Sequence, residues 1–186
     1  LTDNVLVFND SLSLRTDTAY NYKELGKLHL YGNTTMISHL DTLNCDSMIY
    51  WIDKDSLFAF GNVQLMQSDR KLNSDKLHFW ETNGYRGSSF IASGDVTILN
   101  LDKSITAQSI NYNDINQNMT LENDAKVLSD GRKLFGDDIN IQFIDSLFSF
   151  ITVAGNAMAH NITYAKTNKN DSNLQTLTDI MTGSII

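Results

Sequence analysis

A unit of about thirty residues recurs six times along the chain, and this repeat restricts the possible folds more than any other feature of the sequence. Four units open on glycine followed by asparagine or aspartate, and two open on Asp3-Asn4 and Asn123-Asp124. We therefore predict a single domain, 1–186, built from six repeats. The repeats span 3–31, 32–60, 61–93, 94–122, 123–154 and 155–186, and the last one contains a polar insertion at 166–179.

Turn signals occur twice in each unit, about half a unit apart, and divide it into two strands. In the second unit, for example, the first turn signal lies at 39–41 and the second at 53–55; in the third unit the first lies at 68–70. Between the turns, segments such as 139–143 alternate apolar and polar residues with the period of two expected of a half-buried strand. No segment keeps a helical period. The sequence therefore predicts an all-β fold of about a dozen antiparallel strands.

The phase of the repeat predicts where the strands bend. Counted from the first residue of each unit, apolar or small residues stand at positions eleven, thirteen, sixteen and eighteen, and most units have an aspartate at fourteen. Side chains alternate between the faces of a strand, so a straight strand cannot point all four positions inward. A bulge or corner near the aspartate reconciles them. The aspartates expected to cap such a bulge or to face solvent are Asp17, Asp46, Asp75 and Asp137.

Charge and composition exclude several functions. The net charge of -8 and the pI near 4.7 provide no basic surface for nucleic acid, so we expect no nucleic-acid partner. Cys45 is the single cysteine, which rules out a disulfide within the chain and favours a small packed residue over a nucleophile. The four histidines lack metal-ligand spacing, and no catalytic or phosphate-loop motif is present. We expect no enzymatic activity, no catalytic residue, no cofactor and no metal site.

The apolar positions at sixteen and eighteen of each unit allow two interpretations. They form the closed core of a sandwich, or they line an apolar trough between two curved sheets that do not close fully. Both interpretations point the same side chains inward. Only the volume of the interior separates them.

One sequence motif of the repeat resembles the motif of a known family. The sequences at 61–63 and 94–96 read glycine, then asparagine or aspartate, then valine, and each is followed by a similar apolar and small pattern at 72–79 and 105–112. These segments look like the recurrent motif of the OstA-like family. That family includes the periplasmic lipopolysaccharide-transport bridge protein and the N-terminal domain of the outer-membrane lipopolysaccharide assembly protein. The resemblance covers most of the chain, with repeats one to five in register.

The resemblance implies an open, taco-like β-jelly roll of two sheets that hold the acyl chains of lipopolysaccharide or a related acylated lipid. It also implies a periplasmic location, association with the outer membrane, and envelope transport proteins as partners. These partners would pair through edge strands, as would a head-to-tail homo-oligomer. We expect the lipid-facing interior to consist of Val5, Val7, Val63, Leu65, Leu77, Phe79, Val96, Ile98, Ile110, Tyr112, Val127, Ile139 and Ile141.

Two alternative functions are compatible with the same sequence. A structural or adhesive β-repeat domain would use the interior only as core, and a solenoid of this kind would have parallel strands. A carbohydrate-binding jelly roll would need exposed aromatic residues on one face. Trp51 and Trp80 occupy the same repeat position beside the inward Tyr50 and Phe79, so they would point outward and stack on sugar.

Overall fold

Antiparallel β-strands make up almost all of the computed structural model, which describes residues 1–8, 12–38, 41–82, 87–101, 103–129, 131–144, 147–165 and 175–183. Two short 3-10 turns, Lys23–Leu25 and Ile52–Lys54, connect the second strand to the third and the fourth to the fifth. The strands of the described residues are β1 (Thr2–Phe8), β2 (Leu12–Tyr22), β3 (Lys27–Ser38), β4 (Asp41–Trp51), β5 (Ser56–Gln67), β6 (Arg70–Thr82), β7 (Gly87–Asn100), β8 (Lys103–Asn113), β9 (Asn118–Ser129), β10 (Arg132–Ile144), β11 (Leu147–Ala154), β12 (Ala157–Ala165) and β13 (Gln175–Gly183).

All of these strands belong to one sheet. From β1 to β10 each strand pairs antiparallel with the next one in the chain. On its other side β10 has two partners, because β11 pairs with 138–144 and β12 pairs with 132–135; β13 then pairs with β12. Only Gly155-Asn156 separates β11 from β12, so the two together correspond to one long strand. The predicted roll of about a dozen antiparallel strands is confirmed, whereas a solenoid would have parallel ones.

The turns within the described residues lie where the sequence predicts them. The turn at 68–69 separates β5 from β6, and a second turn at 114–117 separates β8 from β9. The turns that the same signals predict at 9–10, 39–41, 82–84, 101–103, 129–131 and 145–146 lie wholly or partly outside the described residues. The polar insertion predicted at 166–179 overlaps the start of β13, which begins at Gln175 and pairs with β12. Residues 166–174 lie outside the described part of the chain.

A row of β-bulges crosses the sheet at the level of the repeated aspartates. The pairing register shifts at this level in every adjacent pair from β1 to β10, for example between Phe60 and Val63 of β5. Both residues of all six dipeptides that open the repeats have positive φ, such as Gly61 (71°) and Asn62 (47°). The predicted bulge is confirmed, and the extra residue belongs to the opening dipeptide. The repeats counted from these dipeptides therefore begin in the middle of strands.

Three of the four predicted aspartates cap a bulge, and the fourth, Asp75, is exposed to solvent. Asn62 Nδ2 donates a hydrogen bond to Asp46 Oδ2 at 3.0 Å. The equivalent asparagines 33 and 156 donate to Asp17 and Asp137, each at 2.9 Å. Each bond ties a strand to the bulge on its neighbour, so the bends of adjacent strands stay aligned.

The row of bulges divides the sheet into two leaves that enclose the core. In β6 the first leaf contains 70–74 and the second contains 76–81, and the other strands divide at the same level. Because the bulge shifts the alternation of side chains, Leu72 in the first leaf and Leu77 and Phe79 in the second all turn inward. Leu72 and Phe79 line the same cavity, although a straight strand would hold them about 23 Å apart. The sheet therefore folds over its own apolar face.

Candidate functional site

A cavity of about 640 Å³ lies between the two leaves, at the ends of the strands away from the bulges. This volume falls in the range of small-molecule sites in proteins. Its first-leaf wall contains Leu65, Leu72, Ile98 and Ile105, and its second-leaf wall contains Phe79, Phe90, Tyr112, Met119 and Phe143. Both walls are thus apolar. Nearer the row of bulges the leaves pack closely, since Leu77, Ile110 and Leu121 are at most 1% exposed.

Aromatic rings form most of the second-leaf wall. The Phe90 and Tyr112 ring centroids lie 5.6 Å apart, and the Tyr112 and Phe143 rings meet edge to face at 6.1 Å. The Tyr112 hydroxyl donates a hydrogen bond to Asp114 Oδ1 at 3.2 Å. Burial and then the Asp114 carboxylate raise the pKa of this hydroxyl, while Arg70 acts in the opposite direction. Tyr112 is therefore a neutral phenol at pH 7, with its ring on the wall and its oxygen at the polar mouth.

Polar side chains surround the mouth of the cavity. Arg70, Lys103 and Arg132 line it at the end of the first leaf, together with Gln67 and Asn100. On the second leaf the polar lining consists of Ser88, Asp114 and Gln117. The site is therefore amphipathic, with an apolar interior and a polar entrance.

All thirteen residues predicted for the interior lie in the core or pack against it. Ten of them are buried, and Val7, Phe79 and Tyr112 are partly buried against the core. Only four line the cavity. Contact of any of the thirteen with lipid stays a prediction. The cavity-lining residues of this set are Leu65, Phe79, Ile98 and Tyr112, and the others are Val5, Val7, Val63, Leu77, Val96, Ile110, Val127, Ile139 and Ile141.

Sequence reasoning missed several residues that line the cavity. Leu72 and Ile105 stand at position eleven of their repeats, which is apolar in the sequence but carries no sign of its own that it lines a cavity. Arg70, Lys103 and Arg132 all stand nine residues after the opening of a repeat. This shared position is the signal that could have identified the polar mouth from the sequence.

Cys45 is a packed core residue, as predicted. Its side chain is 6% exposed, and burial is the main cause that raises the pKa of the thiol to about 12. A thiol with such a pKa stays protonated near pH 7, which makes it a poor nucleophile and a poor metal ligand.

The outer face of the second leaf carries aromatic residues. Trp51 meets Phe58 edge to face at 5.5 Å, and Phe58 stacks on His78 with ring centroids 3.9 Å apart. Trp80 lies beside His78 at 4.6 Å. Burial in this cluster lowers the pKa of His78, so the imidazole is neutral at pH 7. Trp51 and Trp80 thus share the outward orientation that a carbohydrate-binding surface requires.

Neither a spanning helix nor a metal cluster is found in the part of the chain that the structure describes. No helix there is long and apolar enough to cross a membrane. Nor does any group of three or more His, Cys, Asp or Glu side chains approach closely enough to hold a metal ion within the same residues.

Comparison with known proteins identifies a family. One solved structure that the comparison matches to this chain is LptH, the LptA-homologous periplasmic component of the conserved lipopolysaccharide transport device from Pseudomonas aeruginosa. It is 12% identical, with a TM-score of 0.34, over 91% of this chain and 93% of that chain. No curated protein matches the chain. The family described as LptA/(LptD N-terminal domain) LPS transport protein matches residues 42–145, which is more than half of the chain. The chain therefore belongs to the LptA/LptD N-terminal domain family of lipopolysaccharide transport proteins.

Proposed function

We propose that the chain is a lipopolysaccharide-binding module that bridges the periplasm toward the outer membrane of a Gram-negative envelope. The observation that carries this proposal is the apolar cavity between two leaves of one open sheet, in a member of a lipopolysaccharide transport family. Each CH₂ group of an acyl chain that leaves water contributes about 0.8 kcal/mol, so a lipid with several chains binds without many polar contacts. The proposed role is binding and transfer, with no catalytic step, cofactor or metal ion.

The open edges of the sheet support a partner. β1 lies at one edge, where Leu6 and Phe8 are 58% and 74% exposed while Val5 between the leaves is buried. An unpaired edge strand offers backbone donors and acceptors to a strand from another chain. We propose that an envelope transport protein or a second copy of this chain pairs there, which would extend the space between the leaves from one molecule to the next.

Lipid binding is tested with substitutions that fill the cavity. Ile98→Trp and Ile105→Trp place a larger side chain at cavity-lining positions of the first leaf. We expect lipopolysaccharide to bind about tenfold more weakly or worse, because the acyl chains lose their space. Binding is measured by displacement of the neutral fluorescent probe N-phenyl-1-naphthylamine, and circular dichroism checks the fold.

Ile91→Trp is the matched control, since Ile91 lies on the same strand as Ile98 but on the outer face, with 40% of its surface exposed. This control should bind lipid like the wild type. Unchanged binding by well-folded Ile98→Trp and Ile105→Trp variants would contradict the proposal.

The outer aromatic cluster favours a second candidate function, which is sugar binding. The Trp51, Phe58, His78 and Trp80 rings form a continuous row on an outer face. Titration of an oligosaccharide while tryptophan fluorescence is recorded tests this function. A saturable change that Trp80→Ala abolishes would support it, and an unchanged spectrum would exclude it.

A further inference from the structure

Three basic side chains form a row at the mouth of the cavity, and we name them the basic rim: Arg70, Lys103 and Arg132. They are the first residues of β6, β8 and β10, and all three line the cavity. They also share one repeat position, nine residues after the opening dipeptide. The equivalent positions of the first two repeats hold Leu12 and Asp41. The positive row is therefore confined to the half of the roll that contains the cavity.

The sheet sets the spacing of the basic rim. Arg70 pairs across the sheet with Asn100, and Asn100 pairs with Lys103 on the next strand. Lys103 in turn pairs with Ser129, which pairs with Arg132. Neighbouring cations are thus two strands apart, which corresponds to about 10 Å. A neutral polar residue stands between each pair of cations.

Two cations of the rim adjoin the apolar wall. Leu72 and Ile105 follow Arg70 and Lys103 by two residues, so they lie on the same face of their strands and line the same cavity. A ligand that enters here meets apolar groups inside and positive charge at the entrance. This arrangement matches an amphiphile whose anionic group is attached directly to its acyl-bearing part.

Three carboxylates also stand at or beside the mouth, and each already has a partner. Gln67 Nε2 donates a hydrogen bond to Asp41 Oδ2 at 2.9 Å. Asp69 Oδ1 lies 3.8 Å from Arg70 Nε, and Asp69 Oδ2 accepts a hydrogen bond from Asn100 at 3.1 Å. The side chains of this ion pair are more than half exposed, so solvent screens the attraction. Asp114 accepts the hydrogen bond of the Tyr112 hydroxyl. Among the residues that line the cavity, the three cations outnumber one carboxylate, that of Asp114.

We propose that the basic rim binds the phosphate groups of an acylated ligand whose chains occupy the cavity; this inference rests on the proposed function. Phosphate is the ligand chemistry of choice because arginine binds it through paired N–H donors and because it carries more charge than a carboxylate. The spacing along the row lets two phosphates on one head group contact two neighbouring cations. The chain as a whole is negatively charged and repels an anionic head group. Within the cavity lining, the basic rim is the part that attracts one.

The experiment compares the lipid anchor of lipopolysaccharide, a phosphorylated and acylated glucosamine disaccharide, with its dephosphorylated form. The rim variant replaces Arg70, Lys103 and Arg132 by glutamine. The control variant replaces Lys54, Lys76 and Lys126, which are exposed and lie outside the cavity lining, and changes the net charge equally. Displacement of N-phenyl-1-naphthylamine reports binding, and inorganic phosphate alone is the third ligand.

We expect the wild type and the control variant to bind the phosphorylated lipid about tenfold more tightly than the dephosphorylated one. The rim variant should bind both lipids equally. Equal binding of both lipids by the wild type would overturn the rim proposal and leave the proposed function intact. Failure of the wild type to bind either lipid would overturn both. Competition by inorganic phosphate at lipid-like concentrations, or an equal loss in the control variant, would also overturn the rim proposal.

Discussion

At the residue scale, the recurrent opening dipeptides are explained by their backbone conformation. Each dipeptide places two consecutive residues at positive φ, a region that glycine, asparagine and aspartate adopt more readily than other residues. The side chains of Asn33, Asn62 and Asn156 then donate to the aspartate of the neighbouring strand. At these three bends, one dipeptide and one aspartate link the two strands.

Gly61→Ala should destabilise the fold. Gly61 has φ of 71°, and a Cβ at this position would overlap the Asp46 carboxylate. We expect a loss of about 1–3 kcal/mol in the free energy of unfolding, measured by urea denaturation. The double variant Gly61→Ala/Asp46→Ala should lose less than the sum of the two single variants, because the overlap is gone while the backbone strain remains. Wild-type stability of Gly61→Ala would show that the bulge does not need its glycine.

The buried thiol of Cys45 should make the free energy of unfolding fall as the pH rises into the alkaline range. Burial raises the pKa of the thiol from 9.0 to about 12, so the folded state favours the protonated form. This contribution to stability is fully present below the unfolded pKa, declines as the pH rises above it, and is lost by the folded pKa. Urea denaturation at about pH 8 and about pH 10.5 should show a larger loss in the wild type than in Cys45→Ala. Parallel losses in the two proteins would contradict the burial of the thiol.

At the element scale, the bent strand is the unit that repeats, and the edge strands differ from the others. Every strand from β2 to β9 has two neighbours, whereas β1 has only β2. β1 presents inward Val5 and Val7 and outward Leu6 and Phe8. It therefore continues the apolar face of the roll and leaves its outer edge unpaired within the described residues.

Charge on β1 should block pairing between molecules. Leu6→Lys/Phe8→Lys changes two exposed side chains and leaves the inward valines in place. The proposed edge pairing predicts oligomers of the wild type. Lysine on an edge strand disfavours strand addition, so this variant should be monomeric at the same concentrations. Light scattering after size-exclusion chromatography measures the mass. Met66→Lys/Leu99→Lys, which adds the same charge at exposed positions of interior strands, is the control and should not alter the mass.

At the scale of the whole molecule, one apolar interior serves both as core and as candidate binding site. The leaves touch near the row of bulges and separate toward the ends of the strands, where the cavity lies. Inward-facing residues of one repeat therefore have different surroundings. Ile110 is fully buried, whereas Ile98, in the neighbouring strand, borders the cavity.

Shortening an inward side chain to alanine should distinguish residues of the closed core from residues of the cavity wall. Ile110→Ala removes a fully enclosed side chain and should cost about 2–5 kcal/mol of unfolding free energy. Ile98→Ala should reduce the unfolding free energy less than Ile110→Ala does, because the Ile98 side chain already adjoins empty space. Relative to its loss of stability, Ile98→Ala should weaken lipid binding more than Ile110→Ala does. Urea denaturation and probe displacement measure the two effects. Equal stability losses would contradict the distinction between closed core and cavity wall.

Most of the fold and part of the site were predictable from the sequence. Position nine of the repeat contains Arg70, Lys103 and Arg132, but their charge acquires a role only beside the apolar wall. The composition of residues 175–179 does not reveal that they take part in β13, because they do so through backbone pairing with β12.

The sequence by itself determined the repeat, the antiparallel strands, the inward side chains and the bulges at the aspartates. These features depend on local properties: the alternation of side chains along a strand and the tolerance of glycine, asparagine and aspartate for positive φ. Only the tertiary structure decided that the roll contains a cavity and that four of the thirteen predicted interior residues line it. The physical reason is that the gap between the leaves depends on the bends of all strands and on the side-chain volumes packed between them.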